Sequence, residues 1–445
     1  LDASPYPIEG PPVWKEVAAV FEGDCLEFHS HGRVINTRTW WTPPESTLSI
    51  AEAAPLIREA VEKPIDLLAA NNHTVSCDLS GGLDSTPLFV VAGDRVANIT
   101  AFTMANEDPA DDDLFWVRKV IDEHPHIRHI QVSSNDLPGF YDRQTHVTDF
   151  GDEPSLTLLS FERYKSILNL MYQEGSQVHI NGLGGDQLFS GVPAVYHDLL
   201  RQQPIRALRS LLDYWALCRF SLMPMARALM DNSSFSGWLD RSISDFSHGR
   251  AKTSNFLFDW GYIPNLPFWA TSYAAKDVAV RALRENKCSF REAAPTRGTH
   301  ADLAAIRNVA HQTRILRQAG ESSGVETFSP LLVDEVMNIC LSIRPEERTN
   351  PRHFKPLAKL AFASLMPQAF QERTSKTDGS VQAAKNFSAN RERIVAMFDD
   401  SALEKRGLID GSEFKKLFAH SYVDQEVEGA FDATLCSEIW LKQTS

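Results

Sequence analysis

The sequence lacks the features of a membrane or exported protein. In its 445 residues no apolar run approaches the length that crosses a bilayer, and its start shows no charged-then-apolar export signal. The six cysteines are scattered and form no C-x-x-C pair, which is typical of buried thiols in a reducing compartment. We therefore expect a cytoplasmic protein that makes no contact with a membrane.

Positive charge is also scarce. The chain has 44 Lys and Arg against 58 Asp and Glu, a formal net charge of −14. Because a protein that binds a nucleic-acid backbone needs a basic face, we expect no nucleic-acid partner.

The hydrophobic content of 43% and charged content of 23% are those of a globular protein. The length is enough for one large domain and a smaller part.

The most informative segment is Ser80-Gly81-Gly82-Leu83-Asp84-Ser85. It follows a strand-like run at 74–79 and precedes an apolar helical run at 88–92. Two glycines allow a tight turn whose consecutive N–H groups point inward, at the place where the next helix offers its positive end. Both features favour the binding of a phosphate group. Ser80 and Ser85 add hydroxyl donors, and Asp84 is suited to hold the Mg²⁺ that accompanies phosphates. No Lys-Ser or Lys-Thr pair follows the last glycine, so this is not the Walker pattern.

A second glycine turn, Asn181-Gly182-Leu183-Gly184-Gly185-Asp186, follows another strand-like run at 178–181. Alone it is as well explained by a structural turn. Together, the two turns offer Asp84 and Asp186 as a pair of carboxylates that could hold one Mg²⁺ beside a triphosphate.

The order of predicted elements indicates an α/β fold. A hairpin at 20–41 with a turn at His31-Gly32 precedes a helix that begins at the capping-box pair Ser49 and Glu52. Strands and helices then alternate, which predicts a parallel sheet with helices on both faces. After Pro193 the pattern is mostly helical. The predicted strands are 74–79, 99–104, 129–132 and 178–181, and the predicted helices between them are 112–122 and 155–172.

The first turn resembles the pyrophosphate loop of the ATP pyrophosphatase superfamily, whose members transfer AMP to a substrate oxygen. With Gly-x-Gly-Gly-Asp-x-Leu-Phe at 182–189, it resembles the synthetase domain of asparagine synthetases, an adenine nucleotide α-hydrolase-like fold. Segments that agree with this resemblance are Asp152-Glu153-Pro154-Ser155, Ser329-Pro330-Leu331-Leu332-Val333-Asp334, Lys355-Pro356-Leu357, Met366-Pro367 and Arg373-Thr374-Ser375-Lys376.

Within that group the sequence is most similar to the macrolactam-forming cyclases of lasso-peptide biosynthesis, on the segments 340–348, 354–357 and 373–380. Two departures from asparagine synthetases are Leu183 and Gln187, which replace glutamates. We interpret residues 1–48 as the tail of a β-rich N-terminal glutaminase-like domain plus a linker, and 49–445 as the synthetase domain. No cysteine stands where a glutaminase would need it, and about 150 residues of that domain would lie upstream.

The resemblance implies an AMP-forming carbon–nitrogen ligase. A substrate Asp or Glu side chain would be adenylated, and the N-terminal amine of the same leaderless peptide would close the ring. Implied partners are this precursor peptide, with a leader peptidase and a leader-binding protein as further candidates. Implied cofactors are ATP and Mg²⁺. The implied residues are Asp84, Asp186 and Lys376 for catalysis, Asp84 and Asp186 for metal, and Leu79, Ser80, Gly81, Gly82, Asp84, Ser85, Met104, Asn181 and Gly182 for ATP.

Three other functions remain open. The chain could be an asparagine synthetase or β-lactam-forming synthetase that acts on a small amino acid, a tRNA-modifying adenylase, or a non-catalytic scaffold.

Two clusters of charged residues are interpreted as solvated surface rather than as functional sites. They are the basic residues Arg307, His311, Arg314 and Arg317 at helical spacing, and the acidic cluster Asp108, Asp111, Asp112 and Asp113.

Overall fold

The computed structural model describes residues 14, 16–17, 20–32, 34–106, 108, 111–142, 153–218, 222–248, 256–261, 266–285, 290–373, 380–419 and 425–444. It contains two sheets. The first is an antiparallel hairpin, β1 Asp24–Phe28 and β2 Val34–Thr39, with Gly32 at φ +79° in the turn. The hairpin prediction is thus confirmed, whereas its assignment to a glutaminase-like domain stays a prediction.

The second sheet has five parallel strands in the order β5-β4-β3-β6-β7. This confirms the predicted α/β class. The order reverses between β3 and β6, which is the position where open parallel sheets bind ligands. The strands are β3 Val75–Asp78, β4 Ile99–Ala105, β5 Arg128–Ser133, β6 Val178–Ile180 and β7 Glu326–Phe328.

Helices cover both faces of this sheet. Cys77 and its neighbour in register, Ala101, belong to the core formed with α1 (Ile50–Ala70) and α2 (Ser85–Arg95). Successive residues of a strand point to opposite faces, so Asp78 and Phe102 face the other way. There Phe102 packs on Ile167 and Met171 of α4 (Phe161–Gln173).

Further helices surround this centre and build the C-terminal part, as predicted. The capping box of Ser49 and Glu52 at the start of α1 is present. The further helices, in chain order, are α3 Asp113–Ile121, α5 Gly185–Ser190, α6 Val195–Gln202, α7 Pro204–Cys218, α8 Leu222–Met230, α9 Phe235–Ser247, α10 Val280–Glu285, α11 Arg297–Ser323, α12 Asp334–Ser342, α13 Pro345–Arg348, α14 Pro356–Ala361, α15 Ser380–Met397, α16 Ala402–Lys405, α17 Gly411–Lys415 and α18 Gln425–Thr444.

The structure differs from the prediction in two elements. The predicted helix 155–172 is a 3₁₀ turn at Leu156–Ser160 followed by α4, because the Ser155 side chain caps the turn by accepting from the Thr157 N–H. Strand β7 was not predicted, since three residues are too few to show an alternating pattern.

Of the four cysteines that the structure describes as free thiols, Cys77, Cys340 and Cys436 are buried. Among the described helices none is both long and apolar enough to cross a bilayer.

Candidate functional site

The turn between β3 and α2 is stiffened by its own side chains. Gly81 has φ +75°, and a Cβ there would lie 2.5 Å from the Asp113 carbonyl oxygen, so only glycine fits. The hydroxyl oxygens of Ser80 and Ser85 are 2.8 Å apart, and the Gly82 N–H donates to Ser80 Oγ at 3.3 Å. The turn leads straight into the positive N-terminal end of α2, as a phosphate site requires.

The turn between β6 and α5 lies directly against the first. A Cβ on Gly182 would come within 2.7 Å of the Ser85 backbone nitrogen. Asn181 Oδ1 fixes the turn by accepting from the Leu183 N–H at 3.1 Å and from Ser329 Oγ at 2.7 Å. The two glycine turns therefore form one continuous surface at the carboxyl ends of β3 and β6.

Lys355 joins the two turns. Its Nζ donates to Asp84 Oδ1 at 2.7 Å and Oδ2 at 2.5 Å, and lies 2.5 Å from Asp186 Oδ1. Lys355 is 2% exposed and precedes α14 in a left-handed conformation, with φ +46°. The two carboxylates thus converge on one point, as the sequence predicted, but an ammonium group occupies it. Lys355 belongs to a segment that agrees with the family resemblance, but nothing in the sequence predicts this contact.

Mg²⁺ fits the chemistry of this donor set. The carboxylates of Asp84 and Asp186 and the ammonium of Lys355 together carry a formal charge of −1. This charge lies in a largely buried place, since Asp84 is only 7% exposed. Carboxylate oxygens are the protein ligands that Mg²⁺ prefers, and it usually takes one or two of them together with phosphate oxygens. Asp84 and Asp186 are the residues that would hold the ion, which would neutralise charge on a departing pyrophosphate.

Arg373 clamps the first turn from the other side. One guanidinium nitrogen donates to the Gly81 carbonyl oxygen at 2.5 Å, and another pairs with Asp113. Arg373 is 3% exposed, and its guanidinium carbon lies 5.4 Å from the centre of the Trp116 ring. The predicted exposed acidic cluster is therefore partly engaged in holding this arginine.

The predicted catalytic residue Lys376 lies outside the described residues. It follows Arg373 by three positions in the sequence. Its role stays a prediction from the resemblance.

The residues predicted to border the nucleotide lie along one edge of the sheet. Leu79 is fully buried, and its carbonyl oxygen accepts from Thr103 Oγ1 at 2.6 Å. Met104 is 37% exposed near the end of the neighbouring strand β4. With Asn181 and Gly182 at the end of β6, they flank the two glycine turns. Leu79, Asn181 and Gly182 thus lie at the two strand ends where the turns meet, Met104 lies on the strand next to β3, and contact with ATP stays a prediction for all four.

The basic residues at helical spacing lie on α11, as predicted, and are matched by carboxylates. Such pairing leaves them little excess charge with which to attract a phosphate. The pairs are Arg307 with Glu22, His311 and Arg314 with Glu153, and Arg317 with Glu321.

Gly185 provides a test of how closely the turns fit. A Cβ at this position would collide with the Asp84 carboxylate. We expect Gly185→Ala to lower ATP–pyrophosphate exchange by about a hundredfold, because a small misplacement of catalytic groups has that order of effect. The matched control is Gly429→Ala in α18, where a Cβ meets nothing within 4 Å.

The control should keep its exchange rate and gain about 0.5–1 kcal/mol of stability, since alanine is the better helix former. Exchange rates and thermal unfolding of both variants check this. If the Gly185→Ala variant kept the exchange rate of the wild type, Asp84 would not act at its observed position.

A family model described as asparagine synthase matches residues 56–442, which includes both glycine turns, Lys355 and Arg373. No curated protein matches the chain. The match covers far more than the two short motifs.

Proposed function

Because this chain belongs to the asparagine synthase family, a family of ATP-dependent ligases, we propose that it adenylates a carboxylate and joins it to an amine. The observation that carries the proposal is the convergence of Asp84 and Asp186 on Lys355 at the ends of β3 and β6. A carboxylate does not react with an amine at neutral pH until it carries a leaving group. AMP is that leaving group in the proposed reaction.

The chain's own residues would contribute in three ways. Ser80, Ser85 and the N-terminal end of α2 would bind the β- and γ-phosphates of ATP. Asp84 and Asp186 would hold the Mg²⁺ that neutralises these phosphates. Lys355, and Lys376 by the resemblance, would place fixed positive charge beside the phosphate oxygens as they gain negative charge. The substrate carboxylate would attack the α-phosphorus and pyrophosphate would leave.

We further propose that the substrate is a leaderless peptide whose Asp or Glu side chain is closed onto its own N-terminus, as in lasso-peptide cyclases. Two features support a peptide over free aspartate. Leu183, half-buried, stands where asparagine synthetases carry a glutamate. A groove of about 480 Å³ is lined by Phe354 and Pro356, the residues on either side of Lys355 in the sequence. Residues that line it include Arg352, His353, Phe354, Leu360, Gln371 and Glu372.

Three expectations about the setting of this reaction remain proposals. They are a cytoplasmic location, the partnership with a leader peptidase and a leader-binding protein, and the assignment of residues 1–48 to a glutaminase-like domain. An asparagine synthetase or β-lactam synthetase is the alternative, and a tRNA-modifying adenylase is the weaker one.

Product analysis with Mg-ATP tests the substrate. A leaderless lasso core peptide is compared with free aspartate plus an ammonia source. We expect peptide-dependent AMP and a peptide product lighter by one water. AMP formed only with aspartate would contradict the peptide assignment and favour asparagine synthesis.

A further inference from the structure

A polar cluster lies on the α4-facing side of the sheet, where β3 and β6 end. His179 is fully buried in β6 and reaches Asp78 Oδ1 with Nε2 at 3.2 Å and Ser76 Oγ with Nδ1 at 2.9 Å. A carboxylate only accepts hydrogen bonds, so Nε2 is the donor to Asp78. Ser76 and His179 thus hold the Asp78 carboxylate in one orientation. The Asp78 side chain remains 33% exposed, so it is accessible to a ligand.

Two buried polar groups beside Asp78 have no partner with full hydrogen-bond geometry, within 3.5 Å, among the described residues. They are Asn181 Nδ2, on a side chain only 3% exposed, and the Tyr164 hydroxyl. Burial raises the pKa of Tyr164 and the nearby Asp78 carboxylate adds to this, whereas a side-chain interaction with Asn181, whose geometry falls short of a full hydrogen bond, lowers it. The hydroxyl is therefore close to both side chains. Buried donors without partners cost free energy, so such a group calls for a ligand that satisfies it.

The three side chains specify the chemistry of that ligand. Asp78 accepts hydrogen bonds, Asn181 Nδ2 donates, and the Tyr164 hydroxyl does either. A matching ligand must donate with one group and accept with an adjacent one. The first residue of a peptide has this arrangement, because its free amine donates and its carbonyl oxygen accepts.

The position of the cluster agrees with this ligand. The phosphate turn leads into α2, which covers one face of the sheet, whereas Asp78 points to the opposite face, towards α4. The carboxylate that attacks the α-phosphorus must approach from the side opposite the departing pyrophosphate. With pyrophosphate bound at the start of α2, the activated acyl group would form on the side where Asp78, Tyr164 and Asn181 lie.

We propose that Asp78, Tyr164 and Asn181 form the binding subsite for the attacking N-terminal amine and its carbonyl group. This inference rests on the proposed ligase function. The amine nitrogen forms the C–N bond, the acyl C–O bond to AMP breaks, and AMP leaves with that electron pair. The proton that nitrogen loses passes to the Asp78 carboxylate and from there to water.

The test separates the two half-reactions. The acyl donor is a leaderless lasso core peptide with an acetylated N-terminus, and the amine probe is glycinamide, which has a free amine next to a carbonyl. ATP–pyrophosphate exchange reports adenylation, and the mass of the glycinamide adduct reports amide formation. The variants are Asp78→Asn and Tyr164→Phe. Tyr172→Phe is the control on the same helix, where the side chain is 59% exposed.

We expect Tyr164→Phe and Asp78→Asn to raise the KM for glycinamide about tenfold or more, with a much smaller change in exchange. Tyr172→Phe should match the wild type in both. Tyr164→Phe removes a hydroxyl that makes no hydrogen bond of full geometry among the described residues, so its unfolding temperature should change little. It therefore remains informative if Asp78→Asn folds poorly.

Three results would overturn the inference. An unchanged KM for glycinamide in Tyr164→Phe would make the cluster purely structural. The cluster would be assigned to the ribose of ATP if the variants lost exchange and amide formation equally and no longer discriminated between ATP and 2′-deoxy-ATP. Absence of exchange in the wild type, with acetylated and free peptide alike, would contradict the proposed function itself. The inference that rests on it would fail for that separate reason.

Discussion

Replacement of Lys355 by methionine is expected to abolish most of the activity. The Asp84 and Asp186 carboxylates would then face each other without the ammonium that now lies 2.5 Å from both. Removing a fixed positive group from the reacting phosphates typically costs about a hundredfold to a thousandfold in rate. Breaking a buried ion pair by removing one partner costs about 3–5 kcal/mol of stability. We expect both losses in Lys355→Met.

ATP–pyrophosphate exchange and urea unfolding of the purified variant measure these effects. Lys63→Met is the matched control, because Lys63 is also paired with carboxylates, Glu59 and Glu335, but is half exposed. Exposed pairs contribute about 0–1 kcal/mol, so this control should lose little stability and no exchange. Lys355→Arg keeps the charge but changes its shape, and should recover stability more than activity. A Lys355→Met variant with near-normal exchange would show that the lysine is only structural.

Replacement of Asp84 by asparagine is expected to have the second largest effect. The amide keeps the shape of the side chain but removes the charge that would hold Mg²⁺ and that now accepts from Lys355. We expect exchange to fall about a hundredfold or more, and the residual activity to need a higher Mg²⁺ concentration. The measurement is exchange rate against Mg²⁺ concentration for variant and wild type.

Asp94→Asn is the control for this change. Asp94 lies near the far end of the same helix, α2, and its side chain is 54% exposed. It should behave as wild type at every Mg²⁺ concentration. If Asp84→Asn also kept its rate and its Mg²⁺ requirement, the proposed metal site would be idle and the scaffold interpretation would gain support.

The features predicted correctly are those that short stretches of sequence determine. The capping box of Ser49 and Glu52 and the glycine turn at 80–85 depend on neighbouring residues and on backbone conformations that few residue types adopt. Alternation of strands and helices then fixed the parallel sheet, and the meeting of the two turns followed from the common direction of its strands.

The features missed depend on contacts between distant segments. Lys355 lies 271 residues from Asp84, and no local pattern distinguishes it from a surface lysine. Arg373 reaches the Gly81 carbonyl oxygen from 292 residues away. The cluster of Asp78, Tyr164 and Asn181 combines two strand ends with a helix, and its unpartnered groups became visible only in three dimensions.

In the proposed reaction the substrate carboxylate itself attacks the α-phosphorus of ATP, and an isotope experiment can follow this step. A peptide substrate with ¹⁸O in its Asp or Glu side chain is incubated with Mg-ATP, and the nucleotide and phosphate products are analysed by mass spectrometry. We expect AMP that carries one ¹⁸O atom, together with unlabelled pyrophosphate. ADP together with ¹⁸O in inorganic phosphate would contradict it, since attack would then have occurred at the γ-phosphorus.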